Sequence, residues 1–201
     1  MTPEGALEIV AAIHAERPAT PLVVMTYFNP VLSMGLETFL SRFESAGGSA
    51  LVFPDLSLET FERFRPACRS RPGLEVVQLV ALTSPDDRSR RIAEAARGFV
   101  YVVGVTGVTG ARTALPPELP EKVRRLRGMT RLPLLVGFGI SNPELARSVG
   151  AYADGVVVGS AIVDRSAAAR PGDPVGPVSK FVGELRRATD DQPPKSPGSS
   201  R

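Results

Sequence analysis

Two short glycine-containing turns follow apolar strands in the last third of the chain. The run 134–136 ends at Gly137-Phe138-Gly139, and the run 156–158 ends at Gly159-Ser160. Glycine lets backbone N–H groups approach an anion closely, and the N-terminus of a following helix adds a favourable dipole. We therefore predict a phosphate-binding site built from Gly139, Gly159 and Ser160, with Ser160 as the N-cap of the next helix. The alternative is that both are ordinary strand-to-helix turns.

Few other residues are of a type that could carry catalysis or bind a metal. Cys68 is the single cysteine, so an internal disulfide and a cysteine-based zinc site are excluded. His14 is the single histidine, and it has no acidic or nucleophilic neighbour in sequence. Asp55 is the one carboxylate that we place at the C-terminal end of a predicted strand. No metal site is predicted.

Composition and charge exclude several classes of protein. No apolar run approaches the length of a membrane span, and the first ten residues lack the basic and apolar regions of a signal peptide. The net charge of +3 is modest, and the basic residues are spread along predicted helices. We therefore expect a cytoplasmic protein that binds neither a membrane nor nucleic acid.

The elements that must position these residues alternate regularly. A helix over 3–16 comes first, and six strand-helix units follow it. The predicted strands span 22–26, 50–53, 76–81, 99–103, 134–136 and 156–158. Strict alternation indicates a parallel sheet, and the β-branched run 156–158 suggests a strand that is buried on both faces.

Two α/β architectures fit six such units. One is a doubly wound sheet. The other is an incomplete (β/α)8 TIM barrel containing strands 3 to 8, which the glycine turns on the last two strands favour. Residues 1–188 are predicted to form this partial barrel, and 189–201 a disordered tail. Residues 27–30 are predicted to be a loop before a helix over 35–46.

Five segments of the chain resemble one family, in its order and spacing, over about residues 2–165. They are PLVVMTYFNPVLSMGLETFL (21–40), ALVFPDLSLE (50–59), RGFVYVVGVTGVTGAR (97–112), VGFGISNPELA (136–146) and ADGVVVGSAIV (153–163). The chain is similar to the alpha subunit of tryptophan synthase. That resemblance implies a (β/α)8 barrel that cleaves indole-3-glycerol phosphate to indole and glyceraldehyde 3-phosphate. It also implies a beta subunit as partner, which holds pyridoxal phosphate, and no cofactor in this chain.

The resemblance also implies roles for individual residues. Those implied to hold the substrate phosphate are Gly110, Gly139, Gly159 and Ser160. Those implied to line the indole pocket are Tyr27 and Phe138, and those in the region facing the beta subunit are Asn29, Pro30 and Asp55. Tyr101 matches a tyrosine near the scissile bond, with an auxiliary role as proton donor or positioning group.

The chain departs from the family in one respect that matters for chemistry. The family's catalytic glutamate and its indole-binding aspartate belong to a Glu-x-Gly-x-Pro strand end followed by Ser-Asp-Pro and Asp-Gly-Pro, and these motifs are absent from the 201 residues. We expect an N-terminally truncated member that is inactive as it stands. Either the recorded sequence begins at an internal methionine, or the gene is short and a partner or a second copy covers the gap.

Two other functions stay open. The chain could be a non-catalytic phosphate-binding module that regulates a tryptophan synthase beta subunit. It could also be another phosphate-sugar barrel enzyme, such as an isomerase, although that chemistry needs a carboxylate or lysine at a strand end. We find no convincing residue of either kind at a strand end for an isomerase. Asp55 is instead the candidate to substitute for the missing base of the lyase reaction.

Overall fold

The computed structural model describes residues 1–104, 115–137, 139–169, 173 and 175–190. Over these ranges the chain alternates helices and short strands, as the sequence predicts. The strands are β1 (Val23–Met25), β2 (Ala50–Val52), β3 (Glu75–Ala81), β4 (Val100–Val103), β5 (Leu134–Gly137) and β6 (Gly155–Val157). The helices are α1 (Pro3–Glu16), α2 (Phe28–Met34), α3 (Leu36–Ser45), α4 (Leu58–Arg69), α5 (Asp86–Ala95), α6 (Leu119–Arg127), α7 (Pro143–Gly150), α8 (Ser160–Ala168) and α9 (Val175–Asp190).

The pairings of β2 with β1 and β3, and of β5 with β4 and β6, are parallel, and the strand order follows the chain from β1 to β6. Two compact units divide the chain. The first unit comprises Met1–Leu79 and Glu94–Phe99, and the second comprises Val80–Ala93 and Val100–Arg201.

In the first unit, β1 pairs with β2 and β2 pairs with β3. An aromatic cluster forms at the first residue of α2, where the ring centroid of Phe28 lies 5.2 Å from that of Phe53 and 4.9 Å from that of Phe64. Strand β2 is buried along its whole length. Burial of these apolar side chains is the main stabilising contribution in this unit.

The first strand is far less covered. Val23 and Met25 of β1 are each 44% exposed, and Ile9 and Ile13 of α1 are 47% and 42% exposed. An apolar groove of about 820 Å³ runs between α1, β1, α2 and α3. We call it the β1 groove; it lies entirely within the first unit.

In the second unit, β5 pairs with β4 on one side and β6 on the other. The core contains Leu134 and Val136 of β5, which are fully buried. The last strand β6 is only half-buried, so the prediction of a strand buried on both faces is wrong for this run. The reason is position: within the described residues, β6 is the last strand of the sheet and has a neighbour on one side only.

Two helices begin directly after a residue whose side chain caps their first turn. Asn142 precedes α7, and its side-chain oxygen accepts a hydrogen bond of 2.8 Å from the Leu145 N–H. Ser57 caps α4 in the same way through the Thr60 N–H at 3.2 Å. Asn and Ser are among the residue types that most often cap helices in this way.

Candidate active site

The phenol ring of Tyr101 lies directly against Gly137. Tyr101 is in β4 and is 4% exposed, and Gly137 pairs with Val103 at the end of β5. A Cβ atom built on Gly137 would stand 2.1 Å from the Tyr101 hydroxyl oxygen. The glycine is therefore required by the ring beside it, a role that the sequence analysis did not assign to Gly137.

Burial controls the protonation of this tyrosine. It raises the pKa of Tyr101 to about 12, because the phenolate would lose its hydration inside the protein. Tyr101 is therefore protonated at neutral pH. Its hydroxyl can donate a hydrogen bond or supply a proton, whereas it is not a base.

The two predicted glycine turns lie at the same edge of the sheet. Gly137 of β5 pairs with Val157 of β6, and Gly139 and Gly159 each follow two residues further along their strands. Gly139 has a φ of +84°, a conformation that favours glycine. Gly159 is exposed, and a Cβ there would meet no atom within 4 Å. The turn at Gly139 thus has a backbone conformation that favours glycine, and the turn at Gly159 has open space beside it.

The start of α8 differs from the prediction. Gly159, with a φ of −121°, is the N-cap of α8, and Ser160 is the first helical residue. The Gly159 carbonyl oxygen accepts from the N–H groups of Ile162 and Val163 at 2.9 and 3.2 Å. The prediction of Ser160 as N-cap is therefore wrong, because the chain turns one residue earlier than expected. No side chain caps α8, so N–H groups of its first turn have no side-chain acceptor.

Two predicted site residues, Gly110 and Phe138, lie outside the described residues. Their assignments to the phosphate site and the indole pocket stay predictions.

In the first unit, the predicted loop over 27–30 is wrong, since Phe28 begins helix α2. Pro30 falls in the first turn, where proline is tolerated. Asp55, which follows β2, accepts from the Phe28 N–H with both carboxylate oxygens, at 3.0 and 3.1 Å. A carboxylate at a helix N-terminus is favourable. Asp55 therefore holds the start of α2, and Asn29 and Pro30 are exposed on that turn.

Tyr27, predicted to line an indole pocket, is the N-cap residue of α2 and is 67% exposed. The structure does not bury its ring in a pocket within the first unit. Its assignment remains a prediction.

A buried lysine in the second unit was missed by the sequence analysis. Lys122 of α6 is 2% exposed. Its ammonium donates to the Ser84 carbonyl at 2.5 Å and to Ser89 Oγ at 2.8 Å, and lies 4.0 Å from an Asp86 carboxylate oxygen. Burial lowers the pKa of Lys122, the Asp86 carboxylate opposes that shift, and Arg125 adds to it. The lysine thus joins α6 to the turn after β3.

The family model that matches this sequence is described as tryptophan synthase alpha chain, and the match covers residues 1–189. The chain belongs to the tryptophan synthase alpha chain family. No helix within the described ranges is long and apolar enough to cross a membrane.

Individual relatives agree with this family. A tryptophan synthase alpha chain of Gloeobacter violaceus is 45% identical over 196 residues, which are 97% of this chain and 70% of the relative. One from a Synechococcus strain is 42% identical over 190 residues, covering 94% of this chain and 70% of the relative. The chain thus spans about 70% of the length of these alpha chains.

Solved structures show the same fold. The crystal structure of the tryptophan synthase alpha chain from Legionella pneumophila superposes with a TM-score of 0.83 at 28% identity, over 95% of this chain and 71% of that one. A tryptophan synthase structure from Mycobacterium tuberculosis gives 0.79 at 35% identity, over 91% and 67%. The prediction of an incomplete (β/α)8 barrel with six parallel strands is confirmed, and the doubly wound alternative is set aside.

Proposed function

We propose that this alpha-chain family member acts on indole-3-glycerol phosphate, the substrate of a carbon–carbon lyase that releases indole and glyceraldehyde 3-phosphate in tryptophan biosynthesis. The observation that carries the proposal is the glycine edge of the second unit. Gly139 and Gly159 follow paired residues of β5 and β6, and the uncapped start of α8 comes next. Family membership indicates which substrate to expect, and this edge is the proposed binding site for its phosphate.

In this proposal the phosphate accepts hydrogen bonds from backbone N–H groups at Gly139, Gly159 and Ser160, with Gly110 as a further contributor. The dipole of α8 favours the negative charge at its N-terminus. Tyr101, on the neighbouring strand β4, offers a protonated hydroxyl to the part of the substrate beyond the phosphate. Phe138 and Tyr27 are proposed to contact the indole ring.

The cleavage needs four proton transfers. The indole C3 gains a proton while the indole nitrogen gives one up; the glycerol hydroxyl then loses its proton as the carbon–carbon bond breaks, and the ring nitrogen regains a proton to give indole. A positioned acid or base typically contributes about 10²–10⁴-fold to such a step. The family's two carboxylate motifs are not among these 201 residues. Asp55 is already engaged by the Phe28 N–H.

We infer that residues 1–201 alone bind the substrate and turn it over at least about 10²-fold more slowly than a relative that carries both carboxylates. The test is indole release from indole-3-glycerol phosphate by the purified chain, with the Gloeobacter violaceus alpha chain as the positive control. Turnover within tenfold of that control would contradict the requirement for the carboxylates.

A beta subunit is the proposed partner, and the exposed first turn of α2 is the proposed contact. Asn29 and Pro30 stand on this turn, and Asp55 fixes its direction through the Phe28 N–H.

A second candidate is a non-catalytic module that binds the phosphorylated substrate and tunes the beta subunit. The hydrogen bonds of Asp55 favour this candidate. Asp55 is the one carboxylate predicted at a strand end, and both of its oxygens accept from the Phe28 N–H, so it is not free to act as a base. Stimulation of beta-subunit activity without indole release would support this candidate, and failure to bind a beta subunit would exclude it.

Substrate binding can be tested separately from chemistry by titrating the chain with glycerol 3-phosphate in a calorimeter. Replacing Gly159 with Ala places a methyl group in the open space that the phosphate is proposed to enter. We expect the affinity for glycerol 3-phosphate to fall about tenfold, because the methyl group would hold the phosphate away from one charge-assisted hydrogen bond. Gly73→Ala is the matched control, because a Cβ at Gly73 also meets nothing within 4 Å. Equal affinities of the two variants would contradict the assigned site.

A further inference from the structure

The first unit contains a small cavity that the proposed function does not use. Its volume is about 160 Å³, and its walls come from the second half of α4, the turn before β3, the start of β3 and residues 95–97. A cavity of this size can hold one aromatic ring, since a cavity of about 150 Å³ in another protein binds benzene. The cavity lies at the amino-terminal end of β3, within the first unit.

Arginine dominates the charged lining. The cavity is bordered by Arg65, Arg69, Arg71 and Arg97 and by one carboxylate, Glu75. Arg65 is already paired, since its Nη1 lies 2.7 Å from a Glu62 carboxylate oxygen. This lining favours an anion, and its single carboxylate disfavours one of high charge.

Two of these arginines are exposed and uncommitted. Arg69 and Arg97 have no acidic partner within the described part of the chain. Their guanidinium groups are forks of N–H donors that match the geometry of a carboxylate.

Arg71 is half-buried, and its hydrogen-bonding groups are only partly satisfied. Its side chain is 16% exposed, and its terminal nitrogens reach Glu37 at 2.8 Å and Glu44 at 3.3 Å. The Nε–H group is buried and has no hydrogen-bond partner among the described atoms. A buried donor left unpaired is unfavourable, and an oxygen atom brought to it by a ligand would relieve that cost.

The remaining lining is apolar. Phe61, Cys68, Leu74 and Val76 contribute buried side chains to the cavity. A ligand that fits this surface has a hydrocarbon or aromatic body as well as an anionic head.

We propose that this cavity binds a small organic monocarboxylate, with its carboxylate held by Arg71, Arg69 and Arg97 and its apolar body against Phe61 and Cys68. The site is independent of the proposed lyase function, because its lining includes none of the residues proposed for that function and its test measures binding alone.

The single cysteine of the chain provides a direct readout. Cys68 lines the cavity, so a bound ligand should slow its alkylation by iodoacetamide. Burial raises the pKa of the Cys68 thiol, the Glu37 carboxylate adds to that shift and Arg71 opposes it. Labelling is therefore run at a constant alkaline pH. Benzoate is the probe, benzamide matches its body without the charge, and inorganic phosphate supplies an anion without the body.

We expect benzoate to protect Cys68 in a saturable way, while benzamide and phosphate protect at least about tenfold less well. Arg97→Gln should weaken benzoate binding about tenfold. Arg90→Gln, an exposed arginine of α5 that does not line the cavity, should leave it unchanged. Arg71 is left intact because its ion pairs hold α3.

Absence of protection by benzoate, equal protection by benzamide, or equal weakening in the two arginine variants would each overturn the proposal. Isothermal calorimetry on the same variants gives a second measure of affinity that does not depend on the thiol.

Discussion

The Tyr101 ring occupies the volume that any side chain at Gly137 would need, since a Cβ there would lie 2.1 Å from the phenol oxygen. Replacing Gly137 with Ala should therefore lower the free energy of unfolding by about 1–3 kcal/mol, the usual cost of overpacking. The measurement is urea unfolding followed by circular dichroism. Gly155→Ala is the control, because the nearest atom to a Cβ there is a Leu135 carbon at 3.4 Å. The same substitution is also made in a Tyr101→Leu background. If Gly137→Ala lowers the free energy of unfolding equally in both backgrounds, a clash with the Tyr101 ring is not the cause.

The buried hydroxyl of Tyr101 should make stability depend on pH in the alkaline range. Its pKa is raised to about 12 in the folded chain, so the folded state holds a proton that the unfolded chain, with a pKa near 10, loses first. The free energy of unfolding should therefore fall between about pH 10 and 12, by up to about 1.4 kcal/mol per pH unit.

The Tyr101→Phe variant should lose most of this slope. Burial also raises the pKa of Tyr152, so Tyr152→Phe is the matched comparison and should retain the Tyr101 contribution. An unchanged slope in Tyr101→Phe would show that the tyrosine does not titrate in this way.

Capping of α2 by Asp55 can be separated from a role in partner binding. Asp55→Ala removes the acceptor of the Phe28 N–H and should cost about 0.5–2 kcal/mol of stability. Ser57→Ala removes the cap of α4 and should cost a similar amount. Under the proposed interface, Asp55→Ala alone should also weaken binding to a beta subunit in a pull-down or calorimetric titration. Equal loss of binding in both variants would show that reduced stability, and not a lost contact with the beta subunit, weakens binding.

The buried ammonium of Lys122 should matter for the fold of the second unit. Lys122→Met keeps an unbranched side chain and removes the donor to Ser84, leaving that carbonyl without this hydrogen bond. We expect a loss of about 1–3 kcal/mol in urea unfolding. Lys180→Met, on the exposed surface of α9, should change stability by less than about 0.5 kcal/mol. A neutral Lys122→Met would mean that desolvation of the charge cancels its hydrogen bonds.

The elements that could be predicted are those fixed by local sequence. Asn142 and Ser57 cap the helices that follow them, and Gly47, with a φ of +85°, follows the end of α3. Apolar runs between such signals correspond to the strands. Each of these features depends on residues within a few positions of one another, and this is why pattern and capping chemistry predict them.

The failures arise from contacts between distant residues. The prediction of a loop over 27–30 missed helix α2, whose first N–H is held by Asp55, 27 residues away. From sequence, Lys122 is expected to be a solvated charge on an amphipathic helix. It is buried instead, because its hydrogen-bond partners Ser84 and Ser89 lie 38 and 33 residues before it. Exposure of β6 depends on the number of its neighbouring strands, which the residues of β6 do not encode.

At the candidate site, the sequence predicted which residues form the turns but not their detailed geometry. Gly139 and Gly159 stand at one edge of the sheet, as parallel strands require. The helix cap fell on Gly159 rather than Ser160, since hydroxyl and glycine are both acceptable at that position. The link between Gly137 and Tyr101 crosses two strands and is visible only once their register is known.

The β1 groove has a practical consequence for experiments on this chain. Val23 and Met25 line this groove and are partly exposed to solvent in the folded protein. Environment-sensitive dyes such as anilinonaphthalene sulfonate fluoresce when they enter such surfaces. The folded chain should therefore give a strong dye signal at room temperature, and a dye-based melting curve would begin from a raised baseline. Spectroscopy of the backbone, which does not require an added fluorophore, is the appropriate way to follow unfolding.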